Sequence, residues 1–195
     1  MTITTGRFTF AEYLSYQDGT DMVYELVDGE LLSMAVGTGK HGGIAKFLEQ
    51  SFDDAIGQSG QNWTAQRFAI AVRSPRGGRW DTARIPDVVV LLQSQWEAMQ
   101  EKEAVIDCND PPPILVVEVV SESTIATDYR AKHTEYAILD IPEYWIVDPL
   151  TQQVTICQLQ DGRYNDTVFT GDQILVSQIF PILNLTATQV LAGKR

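Results

Sequence analysis

The sequence predicts an α/β fold in which helices flank a central mixed β-sheet, and three observations carry that prediction. Two short, β-branched, nearly uninterrupted apolar runs, residues 88–92 and 114–120, have the character of strands buried on both faces of a sheet. Segments with apolar side chains at three-four spacing, residues 44–52 and 129–137, read as helices packed against such a sheet. The 195 residues suit one domain with its own core, and with no internal repeat, low-complexity tract or linker, residues 1–195 read as a single unit.

Along the chain, Thr9 caps a short helix with Phe10, Tyr13 and Leu14 on one face. Residues 24–34 form a hairpin around the Asp28-Gly29 turn. The glycine-rich stretch 37–43 leads into a helix marked by Ile44, Phe47, Leu48, Ser51 and Phe52, which the glycines of 57–60 end. Strands are expected over 63–72, 84–92 and 114–121, the last introduced by three prolines that cannot lie in a central ladder. Residues 94–103 have helical character. A helix over 127–139 stops at Asp140-Ile141-Pro142, and strands follow over 143–147 and 153–159, parted by a turn at 148–151. The tail, 164–185, offers short strands.

Composition limits function. An apolar content of 44% with 21% charged residues describes an ordinary soluble domain. No run approaches the roughly 20 apolar residues that cross a bilayer, and the N-terminus lacks the pattern of a signal peptide, so a cytoplasmic protein without a membrane partner is expected. Cys108 and Cys157 have no metal-binding spacing and read as reduced. A formal charge of −12 argues against a generic nucleic-acid binder, since phosphate affinity comes largely from Lys and Arg. The charge is uneven, however: Arg67, Arg73, Arg76, Arg79 and Arg84 lie close together with Asp81 as the one acid among them. They form either a basic surface next to Asp87 or a solvated hairpin with its turn at 75–78.

Glu118 lies inside the valine run, and Asp87 opens the other. An unpaired carboxylate in such a strand costs several kcal/mol, so each requires a metal ion, a cation or a shared proton. Side chains alternate along a strand, placing Glu118 on the face of Val116 and Val120. If the Asp87 strand lies alongside, the two acids meet at one end of the sheet. Together with a backbone carbonyl such as that of Val119, they are hard ligands suited to Mg²⁺ or Mn²⁺, whose chemistry leads naturally to phosphodiester hydrolysis.

Pro86-Asp87, residues 118–121 with Ser123-Thr124, Asp128, Lys132 and Tyr136, and the run 142–149 together resemble the Uma2 family of restriction-endonuclease-like proteins, abundant in cyanobacteria. Residues 24–29 and His41 fit its N-terminal pattern, and the resemblance spans roughly residues 8–187. It implies the restriction endonuclease-like, PD-(D/E)XK nuclease fold and metal-dependent cleavage of DNA by an Asp, a Glu and a Lys. Asp87 and Glu118 match the acids and are the expected metal ligands. The position that would hold the lysine is Val120, and the resemblance implies that Lys132 on the following helix supplies the amine, orienting or deprotonating the attacking water. Glu25 is the expected accessory acid, its alternative an edge-strand charge.

The same helix reads with Asp128 as a helix-start residue, His133 as packing or surface, and Tyr136 as packing or site support. His41 is either a phosphate contact or structural. A homodimer fits the cutting of two strands. The rivals are a catalytically inactive nuclease-fold module that binds nucleic acid or protein and, ranked last, a glycosidase, whose sites usually offer aromatic platforms, whereas nothing in the sequence places tryptophans near Asp87 or Glu118.

Overall fold

A computed structural model describes residues 6–20, 22–74 and 81–194. Eleven strands among these residues form two mixed sheets. Strands β1 (Tyr24–Val27) and β2 (Glu30–Ser33) form the expected hairpin, with Asp28 (φ 50°) and Gly29 (φ 79°) in the left-handed turn conformation that a two-residue hairpin loop requires. Helix α1 (Phe10–Leu14) is held at its start by Thr9 and Glu12, which satisfy each other's backbone N–H groups.

Helix α2 (Gly39–Ser59) starts at Thr38, runs through Gly57, and ends at Gly60 in the left-handed conformation. The two long strands expected next are each divided. Residues 63–72 split into β3 (Trp63–Arg67) and β4 (Ala71–Ser74), and residues 84–92 into β5 (Thr82–Arg84) and β6 (Val88–Leu92). The breaks have local causes. Phe68 takes a left-handed φ of 54°, and Pro86 has no N–H to give a ladder. At both breaks the chain passes from one sheet to the other, so Asp87 stands at the junction of the two sheets.

The five-stranded sheet has the order β2-β1-β5-β4-β7, where β7 is Val105–Ile106. The six-stranded sheet has the order β11-β10-β9-β8-β6-β3, with β8 (Leu115–Val119), β9 (Glu143–Asp148), β10 (Gln153–Gln160) and β11 (Arg163–Thr170). Strands β8 and β9 are parallel, whereas β6 and β8 run antiparallel with Val88 opposite Val117.

One face of this sheet packs Leu115, Val117 and Val119 against α2 and the C-terminal helix α5 (Ala187–Ala192). The other packs Val116, Val120 and Ile146 beneath Tyr136 and Tyr144. Helix α3 (Gln93–Glu97) is shorter than expected, and the tail contains one long edge strand and a helix instead of several short strands. The turn expected at 75–78 lies outside the described residues, as do Arg76 and Arg79. Among the described residues no helix is long and apolar enough to cross a membrane.

The helix expected over 127–139 is present but begins as a π-helix, Thr127–Lys132, before becoming α4 (His133–Ile138). Single π turns within helices are rare and concentrate at functional sites. Apolar spacing predicted a buried face of Tyr129, His133, Tyr136 and Ala137. The buried residues are instead Asp128, Lys132, Glu135 and Tyr136. This charged face is turned toward Glu118.

Candidate active site

Antiparallel pairing of Val88 with Val117 sets Asp87, one residue before β6 begins, opposite Glu118 near the end of β8. Both carboxylates are buried. Asp87 is held at both oxygens: Oδ2 accepts from the Val119 N–H at 2.5 Å, and Oδ1 lies 2.9 Å from His41 Nε2 in the first turn of α2. That bond raises the His41 pKa, against the effect of burial, and makes the histidine an anchor for Asp87.

Glu118 Oε1 accepts from the Tyr136 hydroxyl at 2.7 Å, and Oε2 lies 2.7 Å from Lys132 Nζ. Burial lifts the Glu118 pKa well above the ordinary carboxylate range; Lys132 opposes this, while Asp87, Asp128 and Glu25 add to it. Lys132 Nζ also lies 3.3 Å from Asp128 Oδ1 and 3.9 Å from Glu25 Oε1. Burial alone would favour the neutral amine, but these three carboxylates outweigh it and shift the lysine upward. In the metal-free protein these carboxylates hold Lys132 as an ammonium, which can donate hydrogen bonds and charge.

The π-helix and α4 thus bring the amine to the side of the sheet where Val120 leaves none. Asp128 lies in the first turn of this helix, as expected, and is also buried among the site groups. Its Oδ1 makes no hydrogen bond, and burial raises its pKa.

Glu25 reaches the cluster from the other sheet. Its Oε1 accepts from the Ile85 N–H at 3.1 Å and its Oε2 from Arg84 at 3.2 Å. Burial works to raise its pKa, but Lys132 and Arg84 outweigh burial and hold it below its ordinary value. Arg84 also donates to both oxygens of Glu135, at 2.8 and 3.1 Å. This fork, which fixes Glu25 from below, had no local signature: Arg84 lies in an arginine-rich stretch, and Glu135 in an apparently ordinary helix.

Of the two alternatives for the arginine-rich stretch, the basic surface does not arise from the described arginines. Arg67 pairs with Glu49, Arg73 with Asp81 and Asp107, and Arg84 with Glu25 and Glu135. Phe68 was not anticipated either. Its ring is partly exposed and stacked on His41, with centroids 6.0 Å apart.

The donor chemistry fits a hard divalent cation. Five carboxylates, Glu25, Asp87, Glu118, Asp128 and Glu135, face Lys132, Arg84 and His41, so the acids of the cluster outnumber its cations. Each oxygen of Asp87 and Glu118 has one protein partner and retains a second lone pair. Asp128 Oδ1 meets no hydrogen-bond donor in good geometry and has only the Lys132 ammonium 3.3 Å away.

The fold and site define a class: a nuclease-like α/β scaffold with acids at the ends of adjacent central strands. The profile of the Uma2 family, described as "Putative restriction endonuclease", matches residues 10–188, and the chain belongs to that family. A crystal structure of a "putative nuclease belonging to DUF820" from Anabaena variabilis ATCC 29413 has the same fold, with a TM-score of 0.70 and 19% sequence identity over 95% of this chain and 98% of that one. No curated protein matches the chain at a significant level.

Proposed function

We propose that the protein is a Mg²⁺- or Mn²⁺-dependent DNA endonuclease, with Asp87 and Glu118 holding the metal. The observation that carries this assignment is the 2.7 Å approach of Lys132 Nζ to Glu118 Oε2, beside Asp87, where the strand itself supplies no lysine. A divalent cation held there would supply Lewis acidity and offset charge on the scissile phosphate. Lys132, as an ammonium, orients the attacking water and donates to the phosphate oxygen on which charge develops. His41 and the Val119 N–H keep Asp87 aimed at the site, and Tyr136 does the same for Glu118. Glu25, braced by Arg84, is the accessory acid that limits where the ammonium can move.

The net charge of −12 supports an obligatory order: the acidic cluster repels phosphate until a cation fills it. Phe68, beside His41, offers its ring to a base or sugar near the cut. Cutting both strands calls for two sites, so a homodimer is part of the proposal, checked by light scattering.

The test uses supercoiled and linear DNA with and without Mn²⁺, comparing wild type with Asp87→Asn, Glu118→Gln and Lys132→Gln. Metal-dependent cleavage lost in all three variants is expected. Equal cleavage by wild type and variants would remove these residues from the chemistry. A second reading, an inactive module of the same fold, is favoured by one observation: every oxygen of Asp87 and Glu118 already has a protein partner. Absence of heat on Mn²⁺ titration would select it.

A further inference from the structure

Among the described residues, one group of three potential metal ligands lies outside the acidic cluster: His133 at the start of α4, Cys157 on β10 and Asp166 on β11, their ligand atoms all within 4.8 Å of one another. Three separate elements bring them together. Cys157 and Asp166 are direct register partners across the antiparallel β10–β11 pair, so both side chains stand on the same face. His133 comes down on that face from the helix, edge-on to Tyr144 and Tyr164 with ring centroids 6.5 and 5.1 Å away. Its Nε2 lies 3.0 and 3.2 Å from the two Asp166 oxygens. Neither cysteine has a metal-binding spacing in sequence, because this trio is assembled from distant positions.

We propose that His133, Cys157 and Asp166 form a Zn²⁺ site that ties the start of α4 to the β10–β11 hairpin. Thiolate, imidazole and carboxylate together suit zinc, and three protein ligands leave a fourth position for water. Tetrahedral zinc, with bonds of about 2.0–2.3 Å, sets neighbouring ligand atoms roughly 3.3–3.8 Å apart, so only small side-chain adjustments are needed. Burial runs in one direction across the trio. Cys157 is fully buried, His133 intermediate and Asp166 exposed, so the open position faces solvent. Burial and the Asp166 carboxylate keep the Cys157 thiol protonated in the metal-free protein, so binding expels a proton.

The consequence reaches the acidic cluster without belonging to it. His133 directly follows Lys132, and their side chains leave the helix in different directions: Lys132 to Glu118, His133 to Asp166. Zinc would brace the helix turn that positions the ammonium. The site uses none of the proposed catalytic groups, so it stands or falls separately from the nuclease assignment.

The experiment titrates metal-free protein with Co²⁺, recording the thiolate-to-cobalt charge-transfer band and the visible bands of tetrahedral cobalt, followed by displacement with Zn²⁺. The band is expected to saturate with one cobalt bound at the thiolate site, to vanish with zinc, and to persist in Cys108→Ser. Cys157→Ser should abolish it. His133→Gln and Asp166→Asn should weaken binding by more than the roughly 10–100-fold typical of losing an outer partner of a metal ligand. Asp166 is exposed, so its variant remains informative even if Cys157→Ser fails to fold. No thiolate band in the wild type, a band that survives Cys157→Ser, or equal affinity in His133→Gln and Asp166→Asn would each overturn the site and leave an ion pair only.

Discussion

Replacing Lys132 with methionine keeps most of the apolar stem of the side chain and removes the ammonium, with its charge and its hydrogen-bond donors. The ammonium lies 2.7 Å from Glu118, 3.3 Å from Asp128 and 3.9 Å from Glu25. At an effective dielectric of about 20, those separations correspond to gross attractions of about 6, 5 and 4 kcal/mol. Most of this is offset by desolvation of the groups and by repulsion among the acids. Removing one partner of a buried pair typically leaves a net loss of about 3–5 kcal/mol, and the variant is expected to fall in that range near pH 8.

The pH dependence has a definite sign. Glu118 and Asp128 have native pKa values raised from ordinary values of 4.5 and 3.8, so the folded protein holds their protons more tightly than the unfolded chain does. Their cost to stability is absent below those ordinary values and grows as pH rises through the native ones. Without Lys132 the native values rise further. The loss caused by Lys132→Met should therefore shrink steadily from about pH 8 toward pH 5. Lys132 itself stays charged throughout this window. Urea denaturation of metal-free protein across that range measures the effect. Adding Glu118→Gln should restore about 2 kcal/mol, as expected for residues in contact. A loss below about 1 kcal/mol, or one that does not change with pH, would refute a buried ammonium holding these acids together.

Other perturbations probe different parts of the structure. Asp128→Asn removes a buried charge that burial penalises more than the Lys132 ammonium 3.3 Å away repays, and leaves Lys132 with Glu118 and Glu25; the metal-free variant should be more stable than wild type at pH 8, with the gain fading as pH falls toward 4, read by chemical denaturation. Phe68→Gly relieves a left-handed backbone and should leave thermal stability equal or higher, while weakening metal-dependent DNA binding in fluorescence anisotropy. Gly193→Ala places a Cβ about 3.1 Å from the Gly43 backbone at a φ of 64°; it should cost about 1–2 kcal/mol by forcing α5 away from α2, with a matching fall in melting temperature.

Some elements could be read without their neighbours. The hairpin of β1 and β2 followed from alternating residues around Asp28-Gly29, and Glu118 drew notice because nothing local excuses an acid in a valine strand. The divided strands could not be read in the same way. Residues 63–72 and 84–92 are each plausible as one strand, and only their pairing partners reveal that each serves two sheets. Helix α5 was missed because six residues have little helical preference of their own and gain stability from packing on α2. The charged face of the π-helix and α4 inverted the apolar expectation because its partner is a carboxylate on another strand.

The sequence by itself determined which segments are apolar enough to be central strands, where acids interrupt them, and, through family resemblance, that Lys132 was the amine to watch. Only the tertiary structure decided which charge answers which. Glu25 binds the N–H of Ile85 from another strand, Arg84 reaches Glu135 across the sheet junction, and His41 on α2 holds Asp87. The physical reason is that hydrophobic periodicity is written in neighbouring residues, whereas the energy of a buried charge depends on a few ångströms of separation from groups far away in the chain. Glu118 could be recognised as a costly charge from its strand alone; that Lys132 and Tyr136 satisfy it became visible only when the helix was laid over the sheet.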